Sequence, residues 1–267
     1  MATPAPTLSV KEVLRLRPVR RLWAAQVVSI FGDFLAIFAI FSVVSFRMHA
    51  TPTEVSLILV SFLLPLVFVG PVAGVFVDRW NVKRTMIASD LTRAVLAAFL
   101  VGATDVRQIY IILFALSSVS SFFIPAQSVT LRTIVPPAGL MSSNALMQSA
   151  IQIMQIISPA IAGVLVASVS AKACFWLDSA SFLFSASMIY MLKIEREVSR
   201  KPLNVATVIG EMKAGMRFIF THSTVSFVII SLMAGMFAIR CFFALIAVYV
   251  RDVLQLPAKT ADNAESS

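Results

Sequence analysis

The sequence predicts an all-α protein that crosses a membrane several times. Hydrophobic residues make up 59% of its 267 residues, and charged residues make up only 13%. A soluble domain of this length would need more polar surface than this composition supplies. The apolar residues also fall into runs of about 20, the length that an α-helix needs to cross a bilayer. Short basic segments separate these runs, as in membrane proteins of fixed orientation.

Seven apolar runs are predicted to be membrane-spanning helices. The first run is longer than the ~7–15 residues of a signal-peptide core, so we expect it to remain as a span. Further runs of similar length follow it along the chain. The seven runs cover residues 22–46, 55–77, 85–103, 109–131, 145–167, 173–192 and 225–250.

The longest polar segment divides the predicted spans into six and one. Its second part, residues 204–221, places apolar residues at helical spacing among Glu211, Lys213 and Arg217. This pattern predicts an amphipathic helix lying on the membrane surface. The resulting organisation is a six-helix bundle, a cytoplasmic linker with an amphipathic helix, a seventh span and a polar tail, over residues 1–192, 193–224, 225–250 and 251–267.

The basic residues are distributed unequally between the two sides of the predicted bundle. Fifteen Lys and Arg lie in the segments on the side of the N-terminus, and three lie on the other side: Arg47, Arg107 and Lys172. Basic loops remain on the cytoplasmic side of a membrane. The N-terminus is therefore predicted to be cytoplasmic. The net charge of +9 reflects this orientation, and we expect membrane lipid and no nucleic acid as a partner.

A turn between the second and third runs carries a recognisable pattern. Within residues 70–84 (GPVAGVFVDRWNVKR), a glycine is followed by Asp-Arg and then by two basic residues: Gly74, Asp78, Arg79, Lys83 and Arg84. The turn resembles the signature loop between helices 2 and 3 of the major facilitator superfamily. Asn81 and Val82 depart from the Gly and Arg of that pattern. The alternative is a basic turn between any two membrane helices.

Other segments resemble the drug and siderophore exporters of that superfamily, a branch that includes the macrolide efflux proteins. They include Phe31-Gly32-Asp33, Phe123-Ile-Pro125-Ala126 and Leu177-Asp178-Ser-Ala-Ser-Phe182. The resemblance implies the N-terminal six-helix bundle of a twelve-helix transporter and the first helix of its second bundle. It further implies proton-coupled efflux of small molecules across a bacterial-type inner membrane, with the turn around Asp78 acting as a conformational switch.

Few ionisable residues lie inside the predicted spans. Asp33 falls near the middle of the first span, where a charge costs roughly 2.5–3.5 kcal/mol or more unless it faces water or a partner. We therefore expect Asp33 to line a central cavity and to exchange a proton there. Arg240, in the seventh span, is its expected partner across the cavity. The alternative is that Asp33 only hydrogen-bonds a neighbouring helix.

Three further positions are candidates for packing or substrate contact. Asp90 and Arg93 are three residues apart and share a helix face, so they are predicted to form a structural charge pair near the cytoplasmic end of the third span. Asp178 and Pro125 are expected to pack between helices or to contact substrate. We expect no catalytic residues, metal or cofactor, because the predicted spans hold no Ser/His/Asp or metal-ligand group and the sequence has no phosphate-binding Gly-x-x-x-x-Gly-Lys loop.

The predicted layout leaves two functional classes open. The first is an exporter, of which this chain would be a form truncated after the seventh helix. The second is a half-transporter or interaction module that works only by self-association or with a missing C-terminal half. A membrane-embedded enzyme is the least favoured class, since His49 and His222 lie in loops.

Overall fold

A computed structural model describes residues 8–44, 48, 50–194, 205–235 and 238. The described part of the chain is helical and contains no β-strand, which confirms the all-α prediction. A short helix, α1, precedes six long helices, α2 to α7, and α8 follows them. Their bounds are Val10–Arg15, Arg17–Ser42, Pro52–Val77, Val82–Leu100, Val106–Ile134, Leu140–Ser168, Ala171–Tyr190 and Val205–Thr221.

Polar residues at the helix starts explain where several helices begin. Thr51 and Glu54 form a reciprocal capping box at the start of α3, which satisfies backbone N–H groups that have no partner inside the helix. Asn81 accepts a hydrogen bond of 3.1 Å from the Arg84 N–H at the start of α4. The Asp105 side chain accepts a hydrogen bond of 3.0 Å from the Arg107 N–H at the start of α5.

The six long helices pack in a definite neighbour order. The extensive contacts join α6 to α2, α2 to α7, α7 to α4, α4 to α5, and α5 to α3. Each of the four inner helices therefore has two extensive partners, whereas α3 and α6 have one each. Only 11% of the α3 span and 17% of the α6 span are buried, against 44% of α2 and 39% of α5.

The core of the bundle has an apolar cluster toward each end. One cluster contains Leu22, Met86, Phe123 and Ile189, and it lies toward the end where α2 and α4 begin. We call this the basic end, because it also carries the turn at residues 78–81. The other cluster contains Leu35, Leu113 and Phe175. Buried polar side chains lie between the two clusters.

Among the described residues, four helices are long and apolar enough to cross a membrane: α2, α3, α5, and Pro137–Ser168, which includes α6. The predicted spans at α4 and α7 do form helices, but they fall outside this set because they carry charges and serines. Asp90, Arg93 and Asp178, the charges near the middle of these two helices, are buried, which is where membrane proteins place such groups.

The second unit of the chain contains α8 and a following helix, Ser223–Gly235. Helix α8 occupies the segment where an amphipathic helix is predicted, and its location on a membrane surface stays a prediction. A bend of 92° separates its last residues from the next helix, and the two together form a fifth membrane-capable element. Most of the predicted seventh span and the tail at residues 251–267 lie outside the described residues.

Candidate functional site

A polar layer crosses the middle of the bundle, between its two apolar clusters. Helices α2, α4 and α7 supply its side chains: Ser29, Asp33, Ser89, Asp90, Arg93, Asp178, Ser179, Ser181 and Ser185. All of them are buried except Asp33, which is half-buried. The layer is cross-linked in part, since the Ser179 hydroxyl donates a 2.8 Å hydrogen bond to the Ala94 carbonyl of α4.

Arg93 is the centre of this layer. It forms an ion pair with Asp90 one turn earlier in α4, and the two residues are 4% and 0% exposed. The guanidinium carbon also lies 4.3 Å from the ring centre of Phe123 and 4.4 Å from that of Phe182. A planar guanidinium between two rings gains cation–π energy that grows as water is excluded. The pair is therefore held by helices α4, α5 and α7 together.

The Asp90–Arg93 pair lies near the middle of α4 and not beside the turn at residues 78–81. Helix α4 covers Val82–Leu100, so Asp90 is more than two helical turns from its start. This position is deeper than the predicted one near the cytoplasmic end of the third span. Its structural role stays a prediction.

Asp33 lies on α2 and borders the charged residues of the layer. It interacts electrostatically with Asp90 and Arg93, and also with Asp178. The described residues form no hydrogen bond or ion pair with its carboxylate. Its predicted partner, Arg240, lies outside the described residues. Asp33 is thus an acid near a buried cation, with part of its surface accessible.

Asp178 lies where α7 meets α2. A Cβ atom built on Gly32 would be 2.8 Å from the Asp178 Oδ1 and 2.9 Å from the Ser181 Cβ. This Oδ1 is buried and accepts no hydrogen bond from the described residues. The placement agrees with a packing position, and substrate contact by Asp178 is untested.

The turn at residues 78–81 joins α3 to α4 at the basic end. Asp78 follows the last residue of α3, and its N–H donates to the Gly74 carbonyl at 3.1 Å. Trp80 stacks on Phe122 of α5 with ring centres 5.9 Å apart. Asn81, which departs from the family pattern, begins α4 as its cap. The turn is therefore held by Asp78 at the end of α3, by Asn81 at the start of α4 and by Trp80 on α5.

Two basic residues hold the end of α7 at the same end of the bundle. Lys83 Nζ donates a 2.7 Å hydrogen bond to the Leu192 carbonyl, and an Arg21 guanidinium N–H donates one of 2.8 Å to the Met191 carbonyl. Carbonyls at a helix C-terminus lack intrahelical partners and carry partial negative charge. Lys83 thereby links the turn to α7.

Gly74 and Asp78 border an open groove between α3 and α5. This groove has a volume of about 470 Å³ and is lined in part by Gly70, Gly74, Asp78, Pro125 and Arg132. A Cβ atom on either glycine would meet no atom within 4 Å. The structure thus brings Gly74, Asp78 and Pro125 together. Arg79 and Arg84 line a different cavity, between α4 and α5.

Sequence reasoning missed the aromatic partners of Arg93 and the close contact at Gly32. The signals were present, because Phe123, Phe182 and Gly32 belong to the three segments that resemble the exporter branch. The segments were interpreted by resemblance alone, and no periodicity relates residues on different helices. In the part of the chain that the structure describes, no group of three or more His, Cys, Asp or Glu side chains could hold a metal ion.

Comparison with protein families decides what kind of bundle this is. The model of the Major Facilitator Superfamily matches residues 22–264, which is most of the chain. The chain belongs to the Major Facilitator Superfamily. Family membership, with the all-helical fold, identifies α2 to α7 as a facilitator N-terminal bundle. The role of the turn around Asp78 stays a prediction.

Curated relatives of this facilitator chain include efflux proteins. The MFS-type transporter YfiS of Bacillus subtilis is 30% identical over 200 residues, which cover 74% of this chain and 48% of the relative. Macrolide efflux protein A of Streptococcus pyogenes is 28% identical over 73% of this chain and 49% of its own length. The multidrug efflux pump Tap of Mycolicibacterium fortuitum is 25% identical over 64% and 45%. The resemblance to the exporter branch is confirmed.

The facilitator chain spans about half the length of these curated relatives. A solved structure of a bacterial homologue of the human drug peptide transporters PepT1 and PepT2 shares its fold. The TM-score is 0.58 at 18% identity, over 91% of this chain and 57% of that one.

Proposed function

We propose that this chain supplies the N-terminal bundle of a secondary active exporter in a bacterial-type inner membrane, with its N-terminus in the cytoplasm. The exporter moves drug-like or siderophore-like small molecules outward by alternating access, and protons drive it. A second bundle completes the transport path, since facilitator halves rock against each other around a central site.

The position of Asp33, a half-buried acid in the polar layer, is the observation that carries the proposal. Asp33 interacts electrostatically with the buried Asp90–Arg93 pair and with Asp178. An acid at mid-depth is costly when charged, so its protonation depends on whether water reaches it. Arg93 contacts α5 and α7 through two aromatic rings. A change of charge at Asp33 therefore acts on a cation that contacts both helices.

The available energy is sufficient for export. One proton moving across a membrane potential of 100 mV releases about 2.3 kcal/mol. At ~1.4 kcal/mol per tenfold change, this supports a concentration ratio of roughly fifty. Proton coupling thus provides export without a nucleotide-binding site.

An apolar groove between α2 and α6 supports an apolar substrate. It has a volume of about 410 Å³, and Phe38, Phe41, Pro159 and Gly163 contribute to its lining. This volume lies within the range of ~300–1,000 Å³ that small-molecule sites occupy. Aromatic and aliphatic walls of this kind favour apolar ligands of varied shape.

A transport assay tests the proposal. Cells that lack their main efflux systems and express the chain together with a facilitator C-terminal bundle should accumulate less of a fluorescent lipophilic cation, and a protonophore should abolish the difference. Export by the wild-type chain should change between pH 6 and pH 8. The Asp33→Asn chain should lose that pH dependence. Asp105→Asn is the matched control, because Asn also caps a helix start well.

Two results would contradict the proposal. An unchanged pH profile in Asp33→Asn would remove Asp33 as the coupling residue. A wild-type chain that is inserted in the membrane, assembled with a second bundle and still without export would argue against an exporter.

The alternative is a half-transporter that pairs with another copy of itself. The exposure of α3 and α6 favours it, because 11% and 17% of these spans are buried within the bundle and each has one extensive helix partner. Both helices also carry glycines around which a Cβ would meet no atom, at Gly74 and Gly163. Small residues on a membrane helix permit close approach by another helix.

An immunoblot of native membranes separates the two arrangements. An antibody against residues 205–221 should detect a band near 29.1 kDa if the chain acts as a half-transporter. Ile156 is an exposed residue of α6, and in membranes that carry the Ile156→Cys chain, crosslinking through this cysteine should double the mass of the band. A band of about twice that mass before crosslinking identifies a single longer polypeptide with both bundles.

A further inference from the structure

We propose that the groove between α4 and α5 at the basic end is a binding site for one anionic phospholipid. Arg84 would bind its phosphate, and one acyl chain would lie along the groove. The groove adjoins the polar layer at Ser89, and it is separate from the grooves that contain α3 or α6. It does not depend on the proposed transport activity.

The groove is large and accessible. Its volume is about 790 Å³, the largest of the cavities described above, and its lining begins at Arg79 and Arg84 and continues to Thr92 and Val119. Arg84, Ala88 and Thr92 are exposed at intervals of four residues, so they form one row along α4. This row gives the groove a straight floor along the helix axis.

The interior of the groove is apolar although threonines line it. The Thr85 hydroxyl donates to the Asn81 carbonyl at 3.1 Å, and the Thr92 hydroxyl donates to the Ala88 carbonyl at 2.8 Å. Both hydroxyl protons are thus used within their own helix, a common arrangement for threonine in helices. Apart from the buried Ser89, this part of the groove is lined by the threonine methyl groups, Ala88, and the side chains of Val119 and Phe122, which suit a hydrocarbon chain.

The basic end of the groove has the opposite character. Arg84 is exposed, and within the described residues its side chain forms no hydrogen bond or ion pair. Trp80 stands beside it, 41% exposed and fixed by stacking on Phe122. Tryptophan favours the level of the lipid headgroups, where it meets both apolar and polar surroundings. Arg binds phosphate with a planar pair of donors.

The dimensions of the groove fit one leaflet. From Arg84 to Thr92 the helix axis advances about 12 Å at ~1.5 Å per residue. The hydrocarbon of one leaflet is about 15 Å thick, half of a ~30 Å core. A headgroup at Arg84 would therefore place most of one acyl chain alongside α4.

The charge of the groove selects between ligands. The charge of Arg84 disfavours a lipophilic cation and favours a lipid whose net charge is negative. A basic residue near the membrane surface contributes about a five-fold preference for anionic lipid. Lys83 is excluded from this role because it donates to Leu192 on α7.

Fluorescence quenching tests the site directly. The chain has three tryptophans, so Trp23→Phe with Trp176→Phe leaves Trp80 as the reporter. The full chain is reconstituted in vesicles containing phospholipid with brominated acyl chains, either phosphatidylglycerol or phosphatidylcholine, diluted in unlabelled phosphatidylcholine. We expect an apparent binding constant about five-fold higher for brominated phosphatidylglycerol.

Three variants of the reporter chain locate the preference. Arg84→Gln should reduce the ratio of the two binding constants toward one, and Arg84→Lys should retain more than half of the preference. Arg20→Gln removes an exposed charge from the same end of the bundle and should leave the ratio unchanged. Ala88→Phe fills the groove and should reduce quenching by both lipids.

The proposal is overturned by any of three results. One is a ratio near one in the reporter chain, and another is an equal loss of preference in Arg84→Gln and Arg20→Gln, which would indicate general surface charge. The third is unchanged quenching in Ala88→Phe, which would place the bound lipid elsewhere.

Discussion

Gly32 of α2 faces Asp178 of α7 so closely that a Cβ atom on the glycine would lie 2.8 Å from the carboxylate Oδ1. The absence of a side chain at residue 32 is what allows the two helices to approach. The next residue along α2 is Asp33, so this contact also sets how far the half-buried acid lies from the charges on α4 and α7. Gly32 therefore affects both the packing of α2 against α7 and the position of the candidate proton site at Asp33.

Replacing Gly32 should therefore destabilise the bundle. We expect Gly32→Ala to lower the free energy of unfolding by about 1–3 kcal/mol, the usual cost of overpacking a core. Equilibrium unfolding of the purified chain in mixed micelles, followed by circular dichroism, measures it.

Gly163→Ala is the matched control for this substitution. Gly163 is also helical, but a Cβ there would meet no atom within 4 Å. Because Ala favours helix over Gly by as much as ~1 kcal/mol, this variant should be neutral or stabilised. Equal stability of the two variants would show that the α2–α7 contact relaxes easily.

The Asp90–Arg93 pair should behave as a coupled unit. Removing one partner leaves an uncompensated buried charge, so Asp90→Asn or Arg93→Met alone should cost about 3–5 kcal/mol. The double variant should cost much less than the two single costs together, because it removes both charges. A double-mutant cycle on the free energies of unfolding gives the coupling. Additive costs would mean that water or another group already compensates each charge.

The sequence was sufficient to predict the helices of the bundle, because runs of about 20 apolar residues are a strong signal. The predicted runs at α4 and α7 also form helices, although both fall outside the set of helices that pass on length and apolarity. Their polar residues are tolerated only because neighbouring helices cover them, and burial by a neighbour is not visible in a linear sequence.

The same limit applies to the candidate site. Asp33 could be selected from the cost of a charge at mid-depth, and Asp90 with Arg93 from helical spacing. The contacts of Arg93 with Phe123 and Phe182 join residues about 30 and 90 positions apart in the chain. Spacing along one helix carries no information about such contacts, and only the packing of α4, α5 and α7 determines them.

The start of α1 should respond to acid. The Ser9 N–H and hydroxyl donate to the Glu12 carboxylate at 2.8 Å and 2.7 Å, and these hydrogen bonds lower the pKa of Glu12 below its usual 4.5. A lowered pKa in the folded state stabilises the helix above the unfolded-state pKa, and this contribution is lost as the pH falls through the folded-state value. Helix α1 should therefore loosen below about pH 4.5.

A spin label at Val10 can follow this transition. In a background with Cys174 and Cys241 replaced by Ser, the label of Val10→Cys should become more mobile as the pH is lowered from 6 to 3. Glu12→Gln retains a capping side chain that does not titrate, so its label mobility should not change over this range. A transition of equal size in both chains would assign the effect to another group.

The two neighbouring basic residues of the turn should separate in their effects on stability. Lys83 donates to the Leu192 carbonyl beyond the end of α7, and hydrogen bonds from charged groups contribute about 1.5–3 kcal/mol. Lys83→Gln should therefore lower the free energy of unfolding by about 1–2 kcal/mol. Arg84→Gln should change it by less than ~0.5 kcal/mol, as is usual for an exposed position.

Unfolding of the two variants in micelles without anionic lipid makes this comparison, because a bound lipid would add stability through Arg84 alone. Addition of phosphatidylglycerol should then stabilise the wild-type and Lys83→Gln chains but not the Arg84→Gln chain. An equal loss of stability in both variants without lipid would mean that the turn responds only to its total charge. The opposite order would place the α7 contact on Arg84.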